Sequence, residues 1–305
     1  MLNTTYEWVK GFNVQPDWGS CGVTIWLNFK PERFREILRA GKEKFPTFNT
    51  FRQLLSFDAW MEDRQTYLTN LAAAAKVIKE ENLHWIPCYF NGWISQPNYG
   101  CFSAESLCEG KNRIYQKYLE ESLDVLKDAP VLVHDVANEP FNNAFVEFQI
   151  KRVTDFLVQM ARTIHARDDR PVTVGSQFYL DAPELDKEID VISLHPYNQW
   201  GKSLEEFDAY FREKIKPVEA SGKPVIITEC VWGAHDAEGR RIFLETELTT
   251  FKKYHFGFLC HGLAISPVAD LHPLDPELNT KNDLYMAFLD ENFEIRPYHD
   301  FFNKI

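Results

Sequence analysis

Eight short apolar runs recur along the chain, each followed by a polar or aromatic cluster and then by a longer amphipathic segment. The runs span residues 9–13, 47–52, 84–90, 131–138, 172–176, 191–195, 225–229 and 256–261. Several are continuously apolar rather than alternating, the pattern of strands buried on both faces. Residues 65–80 place Leu68, Leu71, Ala75 and Ile78 at spacings of three and four. Residues 143–166 put Val146, Ile150, Val153, Leu157, Met160 and Ile164 on one stripe of a long helix. Ser203 with Glu206 reads as a capping box opening a helix that runs to about residue 220. Asp236 caps the next one. Strands alternating with helices require a parallel sheet with right-handed crossovers. Eight units point to an α/β fold of the closed (β/α)8 type, the TIM barrel, with an open doubly wound sheet as the alternative. No G-x-G-x-x-G follows the first run and no G-x-x-x-x-G-K-[ST] occurs, so dinucleotide and P-loop readings lose their main support.

The 305 residues fit one barrel, so the expectation is a single catalytic domain over residues 1–305. The net charge of −12 would repel a phosphate backbone or an anionic membrane, and it accommodates a neutral substrate. Nucleic acid and membrane are therefore not expected as partners. No apolar stretch approaches 18 residues, and the first ten residues hold no leader-like run. A cytoplasmic protein is expected, or a secreted one if a leader has been removed. The six cysteines form no C-x-x-C pair, which speaks against a structural zinc site. Cys101 and Cys108 would pair only in an oxidising compartment, and free thiols are the expected state. No metal and no cofactor is expected, and oligomeric state is left open.

Barrel enzymes place their chemistry at the C-terminal ends of the strands. In order, those ends offer Asn13 with Trp18 in the following loop, Arg52, then Asn91 and Trp93. After them come Asn138-Glu139-Pro140, His195-Pro196-Tyr197, Thr228-Glu229 with Trp232, and His261. A ring of polar and aromatic groups suits a sugar, whose C–H faces stack on aromatics while its hydroxyls seek polar partners. Glycoside hydrolysis needs two carboxyl groups, one to protonate the leaving oxygen and one to attack or to activate water. Glu139 and Glu229 are the pair at hand.

These residues resemble the retaining glycosidases of clan A, and within it glycoside hydrolase family 5, the cellulase-like group. The carriers are HDVANEP at 134–140 and KPVIITECVWG at 223–233. The resemblance implies Glu139 as general acid/base and Glu229 as nucleophile. Arg52, and His195 with Tyr197, match further family positions. Family members usually carry a Trp at the end of strand eight, whereas GFLCHGLAISPVADLHP at 257–273 has none. Trp93 or Trp232 would then supply the sugar platform. The expected chemistry has Arg52 and Tyr197 donating hydrogen bonds to Glu229, and Asn138 holding the sugar 2-hydroxyl. The carboxyl groups would stand about 5–5.5 Å apart, the retaining geometry.

Against these stand plainer roles: a salt-bridge Arg52, a core His195, and packing for Trp18, Trp93 and Trp232. His134 and Asp135 lie inside strand four and read as structural. The loop 91–111 is long and aromatic enough to wall off one side of a pocket and favour exo action on short β-linked glycans. An endo-acting cellulase- or mannanase-like β-glycanase is the alternative. Two other classes fit less well. A metal-dependent barrel hydrolase lacks H-x-H at the first strand and any H-E-x-x-H. A non-catalytic carbohydrate-binding barrel should have lost one of the two Glu residues.

Overall fold

The computed structural model describes residues 2–93, 101–142, 144–177, 182–198, 201–267, 273–275, 280–281 and 285–305. Eight strands follow one another in strict order: β1 Lys10–Asn13, β2 Thr50–Leu54, β3 His84–Asn91, β4 His134–Asn138, β5 Val172–Ser176, β6 Ile192–Leu194, β7 Val225–Cys230 and β8 Gly257–His261. Each pairs in parallel with the next, and β8 closes on β1. The (β/α)8 barrel expected from the eight apolar runs is therefore the fold.

Helices fill the connections: α1 Gly22–Leu27, α2 Pro31–Lys44, α3 Phe57–Glu62, α4 Arg64–Glu80, α5 Glu109–Leu126, α6 Glu147–His165, α7 Pro183–Asp186, α8 Leu204–Ser221 and α9 Ala237–Lys253. Local chemistry explains their ends. Pro31 opens α2 at the position where a missing N–H costs nothing. The Ser203 hydroxyl accepts from Glu206 N, and the Glu206 carboxylate accepts from Ser203 N at 2.9 Å, completing the expected capping box. The Asp236 carboxylate accepts from Gly239 N at 2.7 Å.

Two expectations need correction. The long helix begins at Glu147, and Val146 and Ile150 lie exposed rather than on its buried stripe. That stripe is Val153, Phe156, Leu157, Met160, Ala161 and Ile164, which are buried once the helix has come down beside the barrel. The second strand covers Thr50–Leu54 rather than 47–52. Phe48 belongs to the preceding turn, where its N–H bonds to Phe45 O and its ring meets Phe12 edge-on. Cys101 and Cys108 are both free thiols.

The main core lies between strands and helices, and a second small cluster closes the barrel interior where the strands begin. Val9, Ile86, Val133, Val191, Ile226 and Leu259 form that plug, all buried. Above it the interior turns polar. Among the described residues no helix is long and apolar enough to cross a membrane.

Candidate active site

Strand register brings the polar residues to one level. Asn13 stands opposite Arg52 on one side and His261 on the other, while Asn91 stands opposite Asn138 and Asn138 opposite Gly175. Arg52 occupies the centre with its side chain 2% exposed. Its Nε donates to Asp135 Oδ2 at 2.8 Å, its Nη1 to Asn13 Oδ1 at 3.1 Å and Glu229 Oε2 at 3.0 Å, and its Nη2 to Asn138 Oδ1 at 2.9 Å. Gly175 is glycine for a reason: a Cβ there would come within 2.9 Å of His195 Nε2 and 3.0 Å of Arg52 Nη2. Asp135, read from sequence as merely structural, is buried beneath Arg52 and orients it.

Glu229 closes this network. Its Oε2 receives Arg52, and its Oε1 receives the Tyr197 hydroxyl. His261 Nε2 lies 4.0 Å from Oε1. Burial pushes this carboxyl up, but His195, His261, Arg52 and the Tyr197 bond together bring it well below the ordinary carboxylate range. The Tyr197 phenol is driven far above its ordinary value, by burial first and then by the charges of Glu229 and Glu139, so it stays a donor.

Glu139 follows β4 with a left-handed backbone (φ 44°), and its N–H bonds to Gly175 O at 2.8 Å. Gly92 lets the loops meet, since a Cβ there would fall 2.3 Å from Pro140 Cα. His195 Nδ1 is 2.9 Å from Glu139 Oε1, and Asn142 donates to Oε2. His195 Nε2 is 3.0 Å from Thr228 Oγ1, so the ring bridges Glu139 and Thr228. The same Nδ1 lies 4.0 Å from Glu229 Oε2. The nearest oxygens of the two carboxyl groups are therefore no more than about 7 Å apart, a span that contains the retaining separation of about 5–5.5 Å and reaches only the lower edge of the inverting range.

The remaining residues fall into two groups. Asn138 and Asn91 join the network, Asn138 Nδ2 donating to Asn91 Oδ1 at 3.1 Å. Trp232 lies between Tyr197 and His261, its ring 5.4 Å from each. Trp93 stands at the rim, half exposed, its backbone N–H and C=O tied to the Asn91 side chain. Trp18 is not brought into this network. Its ring packs edge-on against Phe29 and Phe34, and its Nε1 donates to Ile25 O at 3.1 Å. Within the loop 91–111, residues 94–100 lie outside the described residues, as do residues 268–272 beyond β8. Among the described residues no group of three or more His, Cys, Asp and Glu is arranged to hold a metal ion.

Sequence reasoning gave Thr228 no role and passed over Asn142 and two charged residues of α9, Arg240 and Glu247, both wholly buried. The signal for the last two was present. They share a helix face with Leu244, Leu248 and Phe251, where a charge is out of place unless something polar waits for it.

Comparison with known proteins bears on the fold and the family. Residues 44–259 match the family model described as Cellulase (glycosyl hydrolase family 5). No curated protein sequence matches the chain. Among solved structures, the exo-β-1,4-mannosidase of Opitutaceae bacterium strain TAV5 superposes with a TM-score of 0.78 at 18% identity over 97% of this chain. This chain spans 58% of the length of that protein. The broad-specificity endoglucanase of Clostridium longisporum gives 0.67 at 11% identity, covering 97% of this chain and 95% of that one. The GH5_18 protein of Streptomyces cattleya, solved with GlcNAc, gives 0.68 at 15%, covering 97% and 79%. At such identities these likenesses speak for the fold, whereas the family match spans most of the chain: the protein belongs to the cellulase family, glycosyl hydrolase family 5.

Proposed function

We propose that the protein is a retaining glycoside hydrolase that cleaves β-glycosidic bonds by double displacement, on one barrel domain. The observation that supports this reading is His195 Nδ1, 2.9 Å from Glu139 Oε1 and 4.0 Å from Glu229 Oε2, so that one imidazole lies beside both carboxyl groups. Glu229, held ionised by Arg52 and Tyr197, attacks the anomeric carbon. Glu139 protonates the departing oxygen, then takes the proton of the water that releases the sugar. Asn138 holds the 2-hydroxyl, His261 and Trp232 border the sugar, and Asn91 and Trp93 line its rim. The test is a panel of nitrophenyl β-glycosides and short β-linked oligosaccharides, with Glu139→Gln and Glu229→Gln run beside the parent. Activity that survives Glu229→Gln would end this reading.

Exo action on short glycans is the finer proposal. Its support is the bridge between Asn91 and Cys101, which brings the chain back to the end of β3 beside Asn138. The likeness to an exo-β-1,4-mannosidase points the same way. An endo-acting β-glycanase is the second reading, favoured by the family's description and by the likeness to an endoglucanase. A product profile decides: monosaccharide alone from the start supports exo action, and a spread of internal fragments defeats it. The six free thiols support a reducing, cytoplasmic setting. Thiol titration of freshly released protein that returned fewer than six would count against it.

A further inference from the structure

Tyr197 lies in the loop after β6 and Glu229 near the end of β7, where the next loop begins, yet they meet through one hydrogen bond. Two consecutive residues of α9 explain how those loops are held. Glu247, wholly buried, accepts from Asn198 N at 2.7 Å on Oε1 and from Val231 N at 2.6 Å on Oε2. Asn198 is the residue after Tyr197, and Val231 is two residues after Glu229. Thr246 accepts from Asn198 Nδ2 at 2.9 Å. Val231 sits at φ 59°, a left-handed conformation that a β-branched residue adopts only under restraint. Restraint comes from both sides: Glu247 takes its N–H, and Arg240, seven residues earlier on the same helix face, donates to its C=O. Arg240 also donates to His261 O at 2.7 Å, tying the end of β8 to the same helix.

We propose that Glu247 is a positioning residue for the nucleophile: by gathering the N–H groups of Asn198 and Val231 on one carboxyl group, it sets the loops after β6 and β7 so that the Tyr197 hydroxyl meets Glu229. This rests on the reading of Glu229 as nucleophile. Glu247 touches neither substrate nor the reacting carboxyl groups. It acts through backbone, at a distance where a shift of about 1 Å costs on the order of 100-fold in rate. Glutamine in its place keeps one acceptor oxygen and turns an amide N–H₂ towards the other donor, so one loop end loses its anchor.

The experiment measures kcat and KM across pH for the parent, Glu247→Gln, Tyr197→Phe and the double variant, with Glu229→Gln as control. Groups facing Glu229 that shape the acid limb are Arg52 from β2, Glu139 from β4, His195 and Tyr197 from the β6 end and His261 from β8. Glu247→Gln should lower kcat about 10- to 100-fold with KM little changed, and should move the acid limb upward. In the Tyr197→Phe background the further loss should shrink to about threefold or less, because the contact it protects is already gone. A Glu247→Gln enzyme with parental kcat and acid limb overturns the proposal, as does an equal loss in both backgrounds. An active Glu229→Gln enzyme instead strikes the nucleophile reading itself. Should Glu247→Gln fail to fold, Thr246→Val removes only the hydroxyl that holds Asn198, and the same cycle is run with it. A smaller loss, again dependent on Tyr197, is expected, and an additive result overturns the proposal.

Discussion

The two carboxyl groups at the barrel mouth are built differently. Glu229 is surrounded: Arg52, Tyr197 and His261 reach it from three other strand ends, and α9 pins the backbone two residues beyond it. Among the described residues Glu139 has the side-chain partners His195 and Asn142, and the chain beyond it soon runs out to solvent, with Phe145 80% exposed and Val146 56% exposed. The contrast follows the chemistry. A nucleophile must stay ionised and aimed, and cationic neighbours with a fixed backbone secure both. An acid/base must release and regain one proton in each turnover, which a guanidinium at contact distance would oppose.

The largest effects should fall on the surrounded side. Glu229→Gln should cost about 10⁴-fold or more in kcat on every substrate, the loss expected when a nucleophile is removed. Glu139→Gln should be as damaging on oligosaccharides but far milder on nitrophenyl glycosides, whose leaving group needs little protonation. Equal losses on both substrate types would erase the distinction between the two residues. Arg52→Met should lower kcat and also cost about 3–5 kcal/mol of stability, since it strands Asp135 in a dry interior. An unchanged melting temperature would contradict that.

A smaller effect concerns Glu247. Burial pushes its carboxyl up to about 8 from an ordinary 4.5, outweighing the lowering by the Asn198 and Val231 N–H groups and by Arg240. The folded state therefore holds a proton that the unfolded chain has already released, and stability must fall as pH rises from about 4.5 through about 8. Melting temperatures of the parent should decline relative to Glu247→Gln across that window, and parallel curves would refute the point. The smallest effect is expected at Phe145→Ala, within about 0.5 kcal/mol, because the ring is already in water. A larger loss would mean that the chain after Glu139 is more tightly built than its exposure indicates.

Much of the barrel could be read directly. The run at 172–176 coincides with β5, and Ser203 and Asp236 cap the helices they were assigned to. These features depend on local pattern, and local pattern survives in sequence. The residues missed depend on tertiary approach. Asp135 lies 83 positions from Arg52, and Glu247 lies 49 positions from Asn198, so no periodicity links them. Val146 and Ile150 misled for the opposite reason: they fit the helical period, but the chain there has not yet reached the barrel wall. The apolar stripe of α9 was the one overlooked clue, because charged residues interrupted it where the site needed anchors.

A nucleophilic role for Glu229 requires a covalent bond between its carboxylate and the sugar. It is tested most directly by incubating the protein with an activated 2-deoxy-2-fluoro β-glycoside of whichever sugar the panel identifies, then locating the adduct by peptide mass spectrometry. The account predicts one sugar per chain, on Glu229, with activity lost in step. An adduct on Glu139, or full turnover with no residue labelled, would contradict it.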